Sequence, residues 1–275
     1  QFDLYDGKRQ FASSFIFANK NYTLRVLFFA FLCYYILRML INPAFCGIFT
    51  LRMRTETFLE VLMKKYDTVL FDMDGTLCNT KSGIKNTIKK VLLEYGVDDF
   101  SLSENEYIGP PLLDVFFKLL GDWDKAKEAL SQYRSCYKVS GVYENELYEG
   151  MYDLIVKLKE NNFKIALASL KPEVFCVEIL KQHNIIGFFD FISCATLDGK
   201  IGDKAKIIDI AINGLKAKRE KAVMVGDTVF DLIGARENNI DAIFASYGFG
   251  DEGNLGGEKA VLYAKSVDEI RDFLL

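Results

Sequence analysis

Histidine is almost absent: the 275 residues contain one, His183. A histidine-rich metal centre is therefore excluded, and no nucleophile motif lies beside His183 for a Ser-His-Asp or Cys-His mechanism. Its helical surroundings fit an ordinary, partly exposed residue. The six cysteines (Cys33, Cys46, Cys78, Cys136, Cys176, Cys194) include no C-x-x-C pair. Their scatter argues against structural zinc and against a compact disulfide framework, and it suits a reducing cytosol. A basic excess is missing too. The net charge of −4 leaves nothing to neutralise a phosphate backbone, so no nucleic-acid partner is expected. Near the front, Val26 to Leu37 gives twelve uncharged residues, but Arg38 ends that run and Asn42 and Pro43 interrupt the next. A membrane helix needs about 20 consecutive apolar residues.

Residues 1–62 nevertheless stand apart, with seven Lys/Arg against four Asp/Glu, while the remainder carries −7. A signal peptide would share the basic flank (Lys20, Arg25) and the short apolar centre, yet no small-x-small cleavage site follows clearly. The favoured reading is an upstream extension or misplaced start. The sequence opens on Gln1 rather than Met, and Met63-Lys64-Lys65-Tyr66 directly precedes the first strand. On that reading the protein is cytoplasmic. The second reading is a membrane anchor through residues 22–51.

From residue 63 onward, short apolar runs alternate with amphipathic helical patterns, which predicts an α/β fold with a parallel sheet covered on both faces. Expected strands are Thr68–Phe71, Lys164–Ala168, Phe189–Ile192, Ala222–Val225, Ala242–Ala245 and Val261–Tyr263. Expected helices are Gly83–Tyr95, Met151–Asn161, Pro172–Gln182, Ala205–Leu215 and one starting near Asp231. The block 83–148 stays helical throughout, broken at Pro110-Pro111, Gly121 and Gly141. It is too long for a crossover connection, so it is expected to be an inserted helical cap. The α/β core is then 63–82 with 149–275. Such an insertion overhangs the carboxyl ends of the strands, where open α/β sheets bind ligands.

Asp72 and Asp74 lie where the first strand runs out, followed by Gly75. Alone, an acidic turn is the better account. Two carboxylates this close repel unless a cation or proton intervenes. Further strand ends bring Ser169, Lys171, Asp227 and Asp231, and Lys204 precedes a helix. Singly, Asp231 reads as an N-cap, Ser169 as a turn residue and Lys204 as a solvated lysine. Jointly, at one edge of a parallel sheet, they suit Mg2+ and a phosphate.

Asp72-Met73-Asp74-Gly75-Thr76-Leu77, Ser169 after a strand, Lys204 and Gly226-Asp227-x-x-x-Asp231 resemble, in order, the motifs of the haloacid dehalogenase (HAD) superfamily. Gly109-Pro110-Pro111-Leu112, Ser169-Leu170-Lys171-Pro172 and Ser246-Tyr247-Gly248-Phe249-Gly250 resemble its phosphoglycolate-phosphatase-like branch. Asn79 departs from it, standing where many relatives have an acid. The resemblance covers Met63 to Leu275 and implies a Rossmann-like core with an inserted helical cap. It implies a Mg2+-dependent phosphatase acting on a small phosphorylated substrate, with Asp72 as nucleophile passing through an aspartyl-phosphate and Asp74 as general acid and base. Metal ligands would be Asp72, Asp227 and the backbone carbonyl of Asp74; Ser169 and Lys204 would bind phosphate oxygens. Asp231 would stand behind them, orienting a metal water or Lys204. An acid at Asp74 favours phosphoryl transfer over dehalogenation, since a halide leaving group needs no proton. A phosphosugar mutase of the same architecture is the runner-up, and a membrane-anchored binding protein without turnover is the alternative from another class. Lys171 is read equally as an assistant or a surface residue, and Cys78 as a packing residue. Tyr133, Arg134 and Tyr137 are read as leaving-group contacts or, by their spacing, core. Gly248–Gly257 is expected to be a mobile surface loop.

Overall fold

A computed structural model describes residues 65–98 and 100–275. The expectations for residues 1–62, including the stretch 22–51, lie outside the described residues. Among the described residues, no helix is long and apolar enough to cross a membrane.

The strands are β1 (Thr68–Phe71), β2 (Cys78–Asn79), β3 (Glu146–Leu147), β4 (Lys164–Pro172), β5 (Phe191–Ala195), β6 (Ala222–Gly226), β7 (Asp241–Ala245) and β8 (Leu262–Ala264). Six of them form a parallel sheet in the order β5-β4-β1-β6-β7-β8. Every residue of β1 and β6 is buried, as expected for central strands covered on both faces. Side chains alternate along β1. Val69 and Phe71 join one core layer and Leu70 the other. The fold is thus the Rossmann-like α/β architecture expected from the alternating pattern.

The helices are α1 (Lys81–Leu93), α2 (Glu104–Tyr107), α3 (Leu112–Leu120), α4 (Trp123–Val139), α5 (Met151–Glu160), α6 (Glu173–Gln182), α7 (Lys204–Leu215), α8 (Val229–Glu237) and α9 (Val267–Leu274). Their amphipathic faces explain them: α1 buries Ile84, Ile88, Val91 and Leu92 and leaves Lys85, Lys89 and Lys90 outside. Side-chain caps fix several of the starts. Asp122 accepts from the Asp124 and Lys125 amides before α4, and Asp203 accepts from the Lys206 amide before α7.

Helices α1 to α4 fall between β2 and β3, which pair antiparallel with Cys78 opposite Leu147 and Asn79 opposite Glu146. The chain therefore leaves for the helical block and returns from it along a single two-stranded ribbon. This ribbon departs from the reading of 83–148 as helical throughout, because two-residue strands are too short to show alternation. Several boundaries also move. β4 runs on to Pro172 rather than stopping at Ala168, β5 begins two residues later than expected and extends to Ala195, and α1 begins at Lys81.

Candidate active site

The parallel order puts the carboxyl ends of β1, β4 and β6 side by side, and the site lies beyond them. Asp72 follows β1, its backbone N–H donating to the Val225 carbonyl of β6 at 2.9 Å. Asp227 follows β6, Ser169 lies within β4, and Lys204 opens α7. Asp231 lies in the first turn of α8 as the acid of a capping box. Its Oδ2 accepts from the Thr228 amide at 3.0 Å and the Thr228 hydroxyl at 2.8 Å. Thr228, not Asp231, is the N-cap.

Carboxylate oxygens of Asp72, Asp227 and Asp231 lie within 4.8 Å of one another, all three residues buried. Lys204 is buried with them. Its Nζ stands 2.9 Å from Asp72 Oδ1 and 2.6 Å from Asp231 Oδ1. The reading of Lys204 as a solvated lysine is therefore overturned. Asp227 Oδ1 accepts from the Thr76 hydroxyl at 3.3 Å, and Oδ2 from the Phe249 amide at 2.8 Å.

Asp74 faces another way. Its carboxylate accepts from Thr80 Oγ1 at 2.6 Å and from Lys171 Nζ at 3.0 and 3.2 Å. Lys171 is buried, with Nζ 4.6 Å from the centre of the Tyr137 ring, so the surface reading of this lysine fails. Ser169 is buried two residues before it, its Oγ accepting from the Lys171 amide at 3.2 Å. Cys78 is buried in the core, and His183 is partly exposed with Nε2 2.6 Å from Asn145 Oδ1.

Burial lifts the Asp72 carboxyl to about 6; Lys204 opposes the rise and Asp231 adds to it. Asp227 is pushed well above the usual carboxylate range, first by burial, then by Asp231 and Asp72. For Lys204, burial works against the charge, but Asp231 and Asp72 outweigh it and hold the ammonium above the ordinary lysine value. Lys171 is raised in the same way, burial being outweighed by Asp74 and then by Tyr137 and Tyr133.

Three buried carboxylates thus share one ammonium, an imbalance that a divalent cation would correct. An all-oxygen donor set suits Mg2+. The residues present fit that ion.

The loop after β7 was missed as part of the site. Gly248 and Gly250 pack so tightly on Asp227 that a Cβ on either would overlap it, and the intervening Phe249 donates to its carboxylate. Gly75 also packs on Asp227, with φ +80°, where a Cβ would collide with Oδ2. The sequence signal was the close pair of glycines just after a strand.

A cavity of about 520 Å³ opens over these residues. Asp72, Asp74, Ser169, Lys171 and Lys204 form its floor. The helical block supplies the opposite wall, including Ile108 to Leu113, Tyr133, Arg134 and Tyr137.

Residues 69–245 match the family of haloacid dehalogenase-like hydrolases. The chain belongs to that family. It is 33% identical over 212 residues to a 5'-nucleotidase of Pseudomonas aeruginosa, covering 76% of this chain and 96% of that protein. It is 31% identical over 182 residues to the pyrophosphatase PpaX of Halalkalibacterium halodurans, covering 66% and 84%. A solved haloacid dehalogenase-like hydrolase from Streptococcus pneumoniae superposes with a TM-score of 0.71 at 29% identity, over 77% of this chain and 99% of that one. The protein is an enzyme, a phosphatase of the HAD type.

Proposed function

We propose that the chain is a Mg2+-dependent phosphomonoester hydrolase acting on a small phosphorylated substrate, phosphoglycolate-phosphatase-like, with Asp72 as nucleophile. The observation that carries this reading is the state of Asp72. Lys204 holds Oδ1 at 2.9 Å, and Asp72 lines the cavity floor. At neutral pH a carboxyl with a pKa of about 6 is mostly ionised and nucleophilic.

Asp72 attacks phosphorus in line and the ester P–O bond breaks, leaving an aspartyl-phosphate. The departing oxygen takes its electron pair and a proton from Asp74. Water then attacks the same phosphorus while Asp74 removes its proton. The bond to Asp72 breaks, releasing phosphate and restoring both carboxyls. Lys171 and Thr80 hold the Asp74 carboxyl in place for both transfers. Ser169 and Lys204 bind phosphate oxygens, and Asp231 fixes Lys204 from behind. Mg2+, held by Asp72, Asp227 and the backbone carbonyl of Asp74, would neutralise phosphate charge so that an anionic nucleophile can approach it. Residues 83–148 serve as the cap over the core of 63–82 and 149–275. The choice of leaving group would then lie in that cap, whose residues line the cavity facing the acidic floor.

Purified protein should release phosphate from an aryl phosphate with Mg2+ and stop with chelator, and Asp72→Asn should fall to background. A retained rate in Asp72→Asn sinks the proposal. Free phosphate, rather than an isomerised sugar phosphate, separates a hydrolase from a mutase.

A further inference from the structure

The charged residues lining the cavity can be paired off one by one. Asp74 is bound to Lys171, and Asp72 to Lys204. Asp203 caps α7 through the Lys206 amide, and Glu237 has Arg236 at 3.8 Å. Arg134 remains. It lines the cavity from α4, half-buried, and no carboxylate among the described residues pairs with it. Its neighbours Tyr133 and Tyr137 are buried in the core, stacked at 5.4 Å, as their helical spacing suggested. The Tyr137 hydroxyl, on the same wall, is buried without a hydrogen-bond partner.

A guanidinium facing a largely apolar cavity loses hydration on binding and recovers it only from a matching anion. Its planar fork fits a carboxylate or phosphate through two parallel hydrogen bonds. The floor of the cavity already accounts for one phosphoryl group. With about 520 Å³ available, a second anionic group on the leaving part of the substrate has room beside Arg134.

We propose that Arg134 is a specificity residue for substrates whose leaving group carries a second anion, a carboxylate or another phosphate. This rests on the phosphatase reading above and assigns the wall opposite the nucleophile.

The test compares two matched pairs of different reach. The first is phosphoglycolate against its amide; the second is 6-phosphogluconate against glucitol 6-phosphate. Each is assayed with Mg2+ on the full chain, with an aryl phosphate as reference. The wild type should favour the charged member of at least one pair in kcat/KM by about 30-fold or more, the scale of an uncompensated buried charge pair. Arg134→Gln should collapse that ratio towards unity, and Arg134→Lys should restore part of it. No charged-member preference in either pair, or a preference that survives Arg134→Gln, overturns the proposal. So does a variant that instead loses selectively on nucleoside monophosphates, which would make Arg134 a stacking surface for a base. Because only the ratio is read, partial loss of folded protein leaves the result intact. Aryl phosphate turnover lost in Asp72→Asn decides the phosphatase reading separately.

Discussion

Asp72 shows how one buried carboxyl sets a pH dependence. Its folded-state pKa of about 6 lies above the ordinary 3.8, so the folded protein holds the proton more tightly than the unfolded chain between those values. Stability of the metal-free protein should therefore fall as pH rises from about 4 to about 6, by up to ~3 kcal/mol, with Asp227 extending the decline upward. Added Mg2+ should oppose this, raising the melting temperature more at pH 7.5 than at pH 5. Asp72→Asn should flatten much of the profile in chelator. Equal Mg2+ stabilisation at both pH values would remove this account of the acidic cluster. Lys171 gives a second case. Replacing it by Met leaves the Asp74 carboxylate without its cation, and urea unfolding should show a loss of about 3 kcal/mol.

Most of this site was legible from residue types at strand ends. Asp72, Asp74, Ser169, Lys204, Asp227 and Asp231 each follow a short apolar run or precede a helix, and a parallel sheet carries such positions to one edge. Lys171 was harder to place, because a lysine beside a proline at a strand end is as good a surface residue. Its placement two residues beyond Ser169 in extended chain was the usable sign, since alternate residues of a strand share a face.

Elements explain the rest. Gly248–Gly257 looked like a surface loop because its composition says only that the backbone is free to turn. What the composition could not show is that Gly248 and Gly250 lack side chains so that the loop can lie against Asp227. Gly250→Ala brings a Cβ against the Asp227 carbonyl oxygen, a backbone atom that cannot swing aside. We expect about 2 kcal/mol of destabilisation by urea unfolding and weaker Mg2+ binding by titration. Gly253→Ala, whose Cβ meets only the Asp251 carboxylate tip, is the matched control. If the two variants behave alike, close packing on Asp227 is not the reason for the glycine. The ribbon of β2 and β3 escaped the sequence for a different reason. Its pairing depends on residues far apart in the chain, and two residues are too few to carry a period.

At the scale of the whole molecule, the candidate site residues all lie in one stretch of chain, from Asp72 to Asp231. Among the described residues, the sheet, both core layers and the cavity wall are built from residues between Tyr66 and Leu274, and the family match falls within the same span at 69–245. A domain with its own core and its own site folds alone as a rule. Protein beginning at Met63 should therefore melt cooperatively and release phosphate with undiminished turnover in Mg2+. Circular dichroism melting and a steady-state assay, run beside the full chain, check this directly. A shortened protein that folds but no longer turns over would show that residues 1–62 contribute to the chemistry. One that fails to fold would show that the core layers are incomplete without them. Cooperative melting with full turnover would assign both fold and catalysis to the part of the chain that holds Asp72, Lys204 and Asp227.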